Sequence, residues 1–193
     1  MDKDKKKRLA VLASGSGSNA ENIIRYFKNH PKAEVVLLVS NKADAFALQR
    51  AKNLNVLAYV VPKFGFENGE ALQLFQYYEA DFLILAGFLL KAPQNLLEAY
   101  PDRIVNIHPA LLPKYGGKGM YGMHVHEAVV AHRETESGIT IHYVNEEYDA
   151  GKVIFQAKCD VLPDDTPDDV AAKVHALEYA HFPSVIEQVV TTF

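Results

Sequence analysis

The feature that most constrains this chain is a repeated alternation of short apolar runs with amphipathic helical segments before residue 108. The runs are almost continuously apolar, which is typical of strands that a parallel sheet buries on both faces. They occupy residues 9–13, 33–40, 56–61, 82–85 and 104–108. Helices are predicted after the first run and over residues 45–54, 67–78 and 93–100. This repeat predicts right-handed crossovers and helices on both faces of the sheet.

The second half of the chain follows a different pattern. After a predicted helix at residues 125–133, two strand-like segments, 138–144 and 153–159, have no helix between them and should pair antiparallel. Thr166 is the predicted cap of a last helix that runs toward residue 190, with a bend at Pro183. We therefore predict a single-domain α/β fold, with a Rossmann-like, mostly parallel sheet, helices on both faces and an antiparallel strand toward the C-terminal half.

Composition excludes several classes of protein. A length of 193 residues fits one domain, and a formal net charge of -4 argues against a nucleic-acid binder. The apolar runs are too short to span a membrane, so no membrane partner is expected. The single cysteine, Cys159, fits a reducing cytoplasm. The charged run 3–8 is predicted to form a solvated tail, with residues 1–7 outside the folded domain.

Asn106 and His108 stand two residues apart at the end of the fifth strand. Side chains alternate along a strand, so these two share a face and lie about 6.5 Å apart. An amide can donate a hydrogen bond to a developing oxyanion, and an imidazole can transfer a proton near neutral pH. On spacing alone, a catalytic pair and a structurally satisfied pair are about equally supported.

A turn of small residues, from Ser14 to Asn19, joins the first strand to the first helix. Backbone N–H groups at a helix start attract anions, and Ser18 and Asn19 add side-chain donors. The turn lacks the glycine spacing of a dinucleotide site and the lysine of a nucleoside-triphosphate loop. We therefore favour a single phosphate over a plain strand-to-helix turn.

Other candidate chemistry is weaker. His124, His126, His132 and His142 invite a metal site, but they lack the spacing of recurrent ligand motifs, so structural roles are favoured and no metal is expected. The serines of the small-residue turn do not form the elbow of a serine hydrolase. Asp149, taken by itself, indicates a turn residue.

Three motifs together resemble the phosphoribosylglycinamide formyltransferases, the folate-dependent enzymes of purine synthesis. They lie at residues 106–115, 15–19 and 149–154, and the resemblance extends over essentially the whole chain after residue 7. It implies the formyltransferase fold, a formyl donor, 10-formyltetrahydrofolate, and an acceptor, the amine of phosphoribosylglycinamide. Residues 8–100 would form the phosphate-binding half, and residues 101–193 the catalytic and folate-binding half.

The resemblance also assigns roles to residues. Catalysis is carried over to Asn106, His108 and Asp149, whose carboxylate would favour the charged imidazole. Substrate binding is carried over to Gly17, Ser18, Asn19, His175 and Glu178. Folate binding is carried over to Leu89, Leu90, Lys91, Ala92, Asn106, Val144 and Asn145. Two departures stand out, because the family often has arginine where this chain has Leu90, and a basic residue within the segment 64–67.

Three alternatives share parts of this pattern. A formyltetrahydrofolate hydrolase uses the same catalytic trio, but we expect it to have an additional N-terminal domain. A methionyl-tRNA formyltransferase should have a basic C-terminal RNA-binding domain. A phosphate-ligand binding protein would leave the convergence of Asn106, His108 and Asp149 unexplained. The expected partners are therefore the two small-molecule substrates, without nucleic acid, and the protein is expected to be a monomer or weak homodimer.

Overall fold

A computed structural model describes residues 5–192 of the chain as alternating strands and helices. The strands are β1 (Lys7–Leu12), β2 (Ala33–Ser40), β3 (Leu57–Val60), β4 (Phe82–Leu85), β5 (Ile104–His108), β6 (Glu136–Tyr143) and β7 (Val153–Asp160). The helices are α1 (Ser18–Phe27), α2 (Phe46–Asn53), α3 (Lys63–Glu67), α4 (Glu70–Tyr77), α5 (Gln94–Ala99), α6 (Met123–Ala131) and α7 (Pro167–Thr192). None of the helices in this part of the chain is long and apolar enough to cross a membrane.

The strands form one seven-stranded sheet in the order β3-β2-β1-β4-β5-β6-β7. The first five strands pair in parallel, and β6 is antiparallel to both β5 and β7. The predicted fold class and the antiparallel pairing of the last two strands are thus confirmed. The chain runs outward from β1 to β3 and then returns to place β4 on the other side of β1. Parallel sheets of this kind bind ligands beside such a reversal, at the carboxyl ends of the strands.

Both faces of the sheet are covered, as the apolar runs predicted. Leu9 and Val11 of β1 pack into a core that includes residues of α1, α2, α6 and α7. Ala10 and Leu12 point the other way, into a second core formed with α3, α4 and α5. Because neighbouring residues alternate between two cores, residues 9–12 of β1 are all apolar.

Two elements differ clearly from the sequence predictions. β1 begins at Lys7, so the predicted tail is wrong for Lys7 and Arg8, while residues 1–4 lie outside the described part. Arg8 is held in place because its backbone N–H donates to Asp81 at 2.8 Å. The predicted helix 67–78 is instead α3 and α4, separated at Gly69, whose φ of 92° is left-handed and interrupts a right-handed helix.

The predicted capping of α7 is confirmed. Thr166 Oγ1 accepts from the Asp169 backbone N–H at 3.2 Å, and Asp169 accepts from the Thr166 backbone N–H at 2.9 Å. This reciprocal pair satisfies donors that a helix start leaves free, an effect of about 1 kcal/mol. The helix continues through Pro183, and the bend predicted there stays a prediction. Helix α7 thereby carries His175 and Glu178 to the edge of the sheet where β1 ends.

Candidate active site

A cleft of about 550 Å³ opens at the carboxyl ends of β1, β4 and β5, where the strand order reverses. Every residue that the sequence predicted for substrate binding, folate binding or catalysis lines this cleft. They are Gly17, Ser18, Asn19, Leu89, Leu90, Lys91, Ala92, Asn106, His108, Val144, Asn145, Asp149, His175 and Glu178. The structure therefore brings the whole predicted set together, although it does not by itself assign a role to any member.

The small-residue turn forms one end of the cleft. Gly17 precedes α1 with a φ of 73°, and a Cβ there would lie 2.4 Å from Cβ of Ala47. Only glycine meets both demands, because the left-handed conformation and the contact with α2 each exclude a side chain. Ser14 fixes the base of the turn, since its hydroxyl donates to Asn41 at 2.6 Å and accepts from the Leu89 N–H at 2.9 Å. Through Ser14, the turn is thus hydrogen-bonded to the loop that follows β4.

The side chain of Asn19 contacts α7. It donates one amide hydrogen to Glu178 Oε2 at 2.8 Å, and because the amide nitrogen carries a second hydrogen, the role of Asn19 as a donor to an anion stays a prediction. Its Oδ1 is buried and has no hydrogen-bond partner within residues 5–192. His175 Nδ1 donates to the same Glu178 oxygen at 2.8 Å, and this hydrogen bond raises the pKa of His175. The predicted shared face of His175 and Glu178 is confirmed.

Asn106 is oriented by a neighbour on β6. In the β5–β6 register, Asn106 lies opposite His142, and its side-chain nitrogen is 3.0 Å from His142 Nε2. His142 Nδ1 lies 2.9 Å from the Tyr143 carbonyl, which can only accept. The proton therefore sits on Nδ1, and Nε2 accepts one hydrogen of the Asn106 amide. Burial lowers the pKa of His142 and keeps it neutral, so the second amide hydrogen of Asn106 remains available.

His108 is buried and faces hydrogen-bond acceptors on both sides of its ring. Its Nε2 donates to the Tyr115 carbonyl at 2.7 Å, and its Nδ1 lies 3.5 Å from Asp149 Oδ2. Neither a carbonyl nor a carboxylate can donate a proton, so only the doubly protonated ring presents an N–H to each. Each ring nitrogen of His108 thus faces an acceptor, and one of these acceptors is the Asp149 carboxylate that the resemblance assigned to the same catalytic trio.

Asp149 reaches this position through its loop. Its Oδ2 accepts from the Gly117 backbone N–H at 2.9 Å, which joins the loop after β6 to the glycine-rich loop after β5. Gly116 allows the approach, because a Cβ there would lie 2.5 Å from Leu112 and 3.3 Å from Asp149. Asp149 itself has a φ of 53°, a conformation that aspartate tolerates better than most residues. The isolated motif predicted only a turn residue, and the structure adds the contact with His108.

Apart from Asn106, the predicted folate residues come from two loops that line the cleft. Leu89 to Ala92 follow β4, and Val144 and Asn145 follow β6. A second cavity of about 430 Å³ adjoins them and is also lined by Lys63 and Tyr148. Lys91 places its ammonium 5.8 Å from the centre of the Tyr148 ring. Basic residues therefore stand beside the positions where the sequence lacked the arginine and the basic residue typical of the family.

Two functional candidates were not found from the sequence. His142 was considered only as a metal ligand, and the signal that could have revealed it is the β5–β6 register, which spacing alone does not give. His126 lines the cleft, is 5% exposed, and its Nδ1 has no hydrogen-bond partner within residues 5–192. Burial lowers the pKa of His126. Across residues 5–192 there is no group of three His, Cys, Asp or Glu side chains placed to hold a metal ion.

The comparisons with known proteins agree with this geometry. A family model described as formyl transferase matches residues 7–186. Because the match covers most of the chain, the protein belongs to the formyl transferase family.

Within that class, similar relatives are phosphoribosylglycinamide formyltransferases. The chloroplastic protein of Arabidopsis thaliana is 40% identical over 189 residues, which cover 94% of this chain and 65% of the plant protein. The protein of Escherichia coli K12 is 38% identical over 184 residues, covering 92% of this chain and 84% of the bacterial protein. The chain thus spans slightly less than two thirds of the plant relative's length. The resemblance stated from the sequence is confirmed.

Solved structures place the fold in the same group. The crystal structure of glycinamide ribonucleotide transformylase 1 from Geobacillus kaustophilus superposes with a TM-score of 0.88 at 33% identity. The superposition covers 96% of this chain and 100% of that one. This agreement extends over both the parallel half and the antiparallel strands, so the predicted formyltransferase fold is confirmed for the chain as a whole.

Proposed function

We propose that this protein transfers the formyl group of 10-formyltetrahydrofolate to the amine of phosphoribosylglycinamide in purine biosynthesis. The observation that carries the proposal is one cleft lined together by the small-residue turn, by Asn106, His108 and Asp149, and by the segment from Leu89 to Ala92. A phosphorylated acceptor and a flat donor would meet at the centre. The names of the relatives support the same reaction.

The acceptor would bind at the α1 and α7 end. Backbone N–H groups at Gly17 and Ser18 would receive the phosphate, because the start of α1 favours an anion. Glu178 is buried and accepts hydrogen bonds only, so it suits sugar hydroxyls rather than the phosphate itself. Asn19 Oδ1, which lacks a partner among the described residues, is a further acceptor for a hydroxyl. This assignment separates the anion-binding residues from His175 and Glu178, which the sequence had grouped together.

The donor would bind on the other side of Asn106. Apolar side chains of Leu89, Leu90 and Ala92 suit the flat ring of a folate, and Val144 and Asn145 would close the opposite wall. The adjoining cavity with Lys63 and Lys91 suits the carboxylates at the glutamate end of the donor. In this arrangement the chain replaces the arginine contact of its relatives by lysines at neighbouring positions.

The chemistry needs no covalent enzyme intermediate. The amine nitrogen attacks the formyl carbon, and the carbonyl oxygen becomes an oxyanion that accepts a hydrogen bond from the free N–H of Asn106 and is stabilised by the positive charge of a neighbouring His108 imidazolium. Asp149 organises a water that takes the proton from the attacking nitrogen and passes it to the folate nitrogen, whose bond to the formyl carbon then breaks. Alignment of two bound reactants can contribute about 7–11 kcal/mol to such a step.

The remaining parts of the proposal concern context. We place the protein in the cytoplasm, without nucleic acid or membrane partners, as a monomer or a weak homodimer. The single cysteine and the mild net negative charge support this setting. Residues 8–100 would act as the phosphate-binding half of the domain and residues 101–193 as its catalytic and folate-binding half.

The decisive experiment incubates the purified protein with 10-formyltetrahydrofolate and glycinamide ribonucleotide and follows both products by mass spectrometry. Formylated ribonucleotide and tetrahydrofolate should appear in equal amounts, and omission of the ribonucleotide should abolish folate turnover. Formate released without the acceptor would identify the hydrolase instead. Saturable binding of the ribonucleotide without turnover of either compound would identify a phosphate-ligand binding protein.

A further inference from the structure

Three consecutive carbonyl groups of the small-residue turn, those of residues 15 to 17, each accept a hydrogen bond. The Gly15 carbonyl accepts from the Ala47 N–H of α2 at 3.1 Å, and the Gly17 carbonyl accepts from the Glu21 N–H at 2.8 Å. The donors to these two carbonyls are backbone groups. The Ser16 carbonyl instead accepts from a side chain, Nε of Arg50, at 2.8 Å. One residue of the turn thus depends on an arginine from α2 for its orientation.

Peptide geometry makes that orientation matter for binding. In a trans peptide the carbonyl of one residue and the N–H of the next point in opposite directions. Arg50 holds the Ser16 carbonyl toward α2, so the N–H of Gly17 is directed away from α2, toward the cleft that Gly17 lines. The same end of the cleft contains Asn19 Oδ1, which is buried and unpaired among residues 5–192, an independent indication that a ligand belongs there.

Arg50 is itself held firmly. Its Nη1 pairs with Glu21 Oε2, and its guanidinium lies 4.9 Å from the centre of the Phe46 ring. Glu21 also pairs with Arg25 at 2.6 Å, and its hydrogen bonds to Arg25 and Arg50 lower the pKa of Glu21, so it remains charged. Arg25 therefore shares the carboxylate with Arg50, but its hydrogen bonds go to Glu21 Oε1, whereas the donor to the Ser16 carbonyl is Arg50. The two arginines form a matched pair for a test.

We infer that Arg50 is a positioning residue that aims the Gly17 N–H at the phosphate of the acceptor substrate. The inference deepens the proposed function and rests on it. Arg50 acts from behind the turn, through the Ser16–Gly17 peptide, and takes no part in the formyl transfer itself. Its planar fork suits this task because Nε reaches the carbonyl while Nη1 pairs with Glu21, a geometry that lysine cannot reproduce.

The test compares Arg50→Met with Arg25→Met in steady-state assays with both substrates. Arg50→Met should raise KM for glycinamide ribonucleotide by about tenfold and leave kcat and KM for the folate within about twofold, since it removes uniform binding. Arg25→Met should leave all three close to wild type. Arg50→Lys keeps the charge and loses the fork, and it should also raise KM for the ribonucleotide. Melting temperatures of all variants check that the fold is retained.

A second measurement uses inorganic phosphate alone and does not depend on catalysis. Titration of isotope-labelled protein should shift the NMR signal of the Gly17 amide in wild type and in Arg25→Met, and the shift should be lost in Arg50→Met. Unchanged ribonucleotide KM in Arg50→Met, an equal rise in Arg25→Met, or full rescue by Arg50→Lys would each overturn the inference. A wild-type protein that binds phosphate at Gly17 but transfers no formyl group would overturn the proposed function alone.

Discussion

The two sides of the cleft are built in different ways. The acceptor end uses consecutive backbone groups of one turn, held by hydrogen bonds to α1 and α2. The catalytic centre uses side chains from three separate segments, with Asn106 and His108 on β5, His142 on β6 and Asp149 on the loop that follows. The first can be read from a short stretch of sequence, whereas the second exists only when the sheet has formed.

This difference predicts opposite responses to mutation. At the catalytic centre each side chain faces the reacting groups, so truncation should reduce turnover without loosening the fold. At the turn the proposed phosphate donors at Gly17 and Ser18 are backbone groups, so their loss is tested by added atoms or by changes behind the backbone. The following variants test that contrast.

The largest effect is expected at the catalytic pair. Asn106→Ala and His108→Ala should each lower kcat by about 10²–10³ and change KM far less, because the first removes the donor to the oxyanion and the second removes the imidazole beside it. His132→Ala is the matched control, since this exposed histidine does not line the cleft: it hydrogen-bonds the Ala128 carbonyl, and its ring centre lies 5.7 Å from that of Tyr115. Near wild-type turnover in either cleft variant would contradict the proposed role.

The second-largest effect is expected for Asp149→Asn. It should lower kcat by about 10²-fold at neutral pH, in the range of other charge-stabilising groups. Asparagine keeps the size and tolerates the left-handed backbone, so the fold and the ribonucleotide KM should change little. Asp102→Asn is the control, because Asp102 also has a positive φ, 56°. If both variants kept full activity, Asp149 would be no more than a turn residue.

Gly17→Ala should damage binding and stability rather than chemistry. The new Cβ would meet Ala47 at 2.4 Å, and crowding of this kind typically costs about 1–3 kcal/mol. Gly69→Ala provides the comparison, since Gly69 also has a left-handed φ but its nearest contact would be 3.9 Å away. Denaturant unfolding of both variants separates the clash from the backbone strain. If Gly17→Ala were as stable as Gly69→Ala, α2 would have to shift enough to relieve the contact between the new Cβ and Ala47.

The smallest effect concerns pH. The hydrogen bond to Glu178 raises the pKa of His175 in the folded protein, so its contribution to stability is complete below the unfolded value of about 6.5. That contribution should decline as the pH rises through the higher folded value. His175→Gln should remove it, changing the pH dependence of the unfolding free energy by a few tenths of a kcal/mol, because the imidazole is half exposed.

The control for this pH effect is His124→Gln. His124 pairs with Glu127 at the same helical spacing, 3.3 Å apart, on the exposed side of α6. Unfolding curves at several pH values between 5 and 9 would compare the two variants. A pH dependence that is identical in wild type and His175→Gln would mean that Glu178 does not bias His175 in solution.

The sequence by itself determined the sheet, because a run such as 82–85 has no polar side and can only be buried on both faces. It also predicted the small-residue turn between β1 and α1, where the proposed phosphate donors are backbone groups of neighbouring residues. The resemblance supplied Asp149, which local spacing indicated only as a turn residue. The division of the predicted helix 67–78 at Gly69 was missed, since a single glycine is compatible with a helix until its φ is known.

Only the tertiary structure decided which polar atoms meet. His142 became the partner of Asn106 through the register of β5 with β6, and a shift by one residue would have turned its side chain to the other face. Asn19 donates one amide hydrogen to Glu178 on α7, and Arg50 reaches the Ser16 carbonyl from α2. The physical reason is common to all three. Hydrogen bonds need atoms about 3 Å apart, and residues far apart in sequence come that close only after strands and helices have packed.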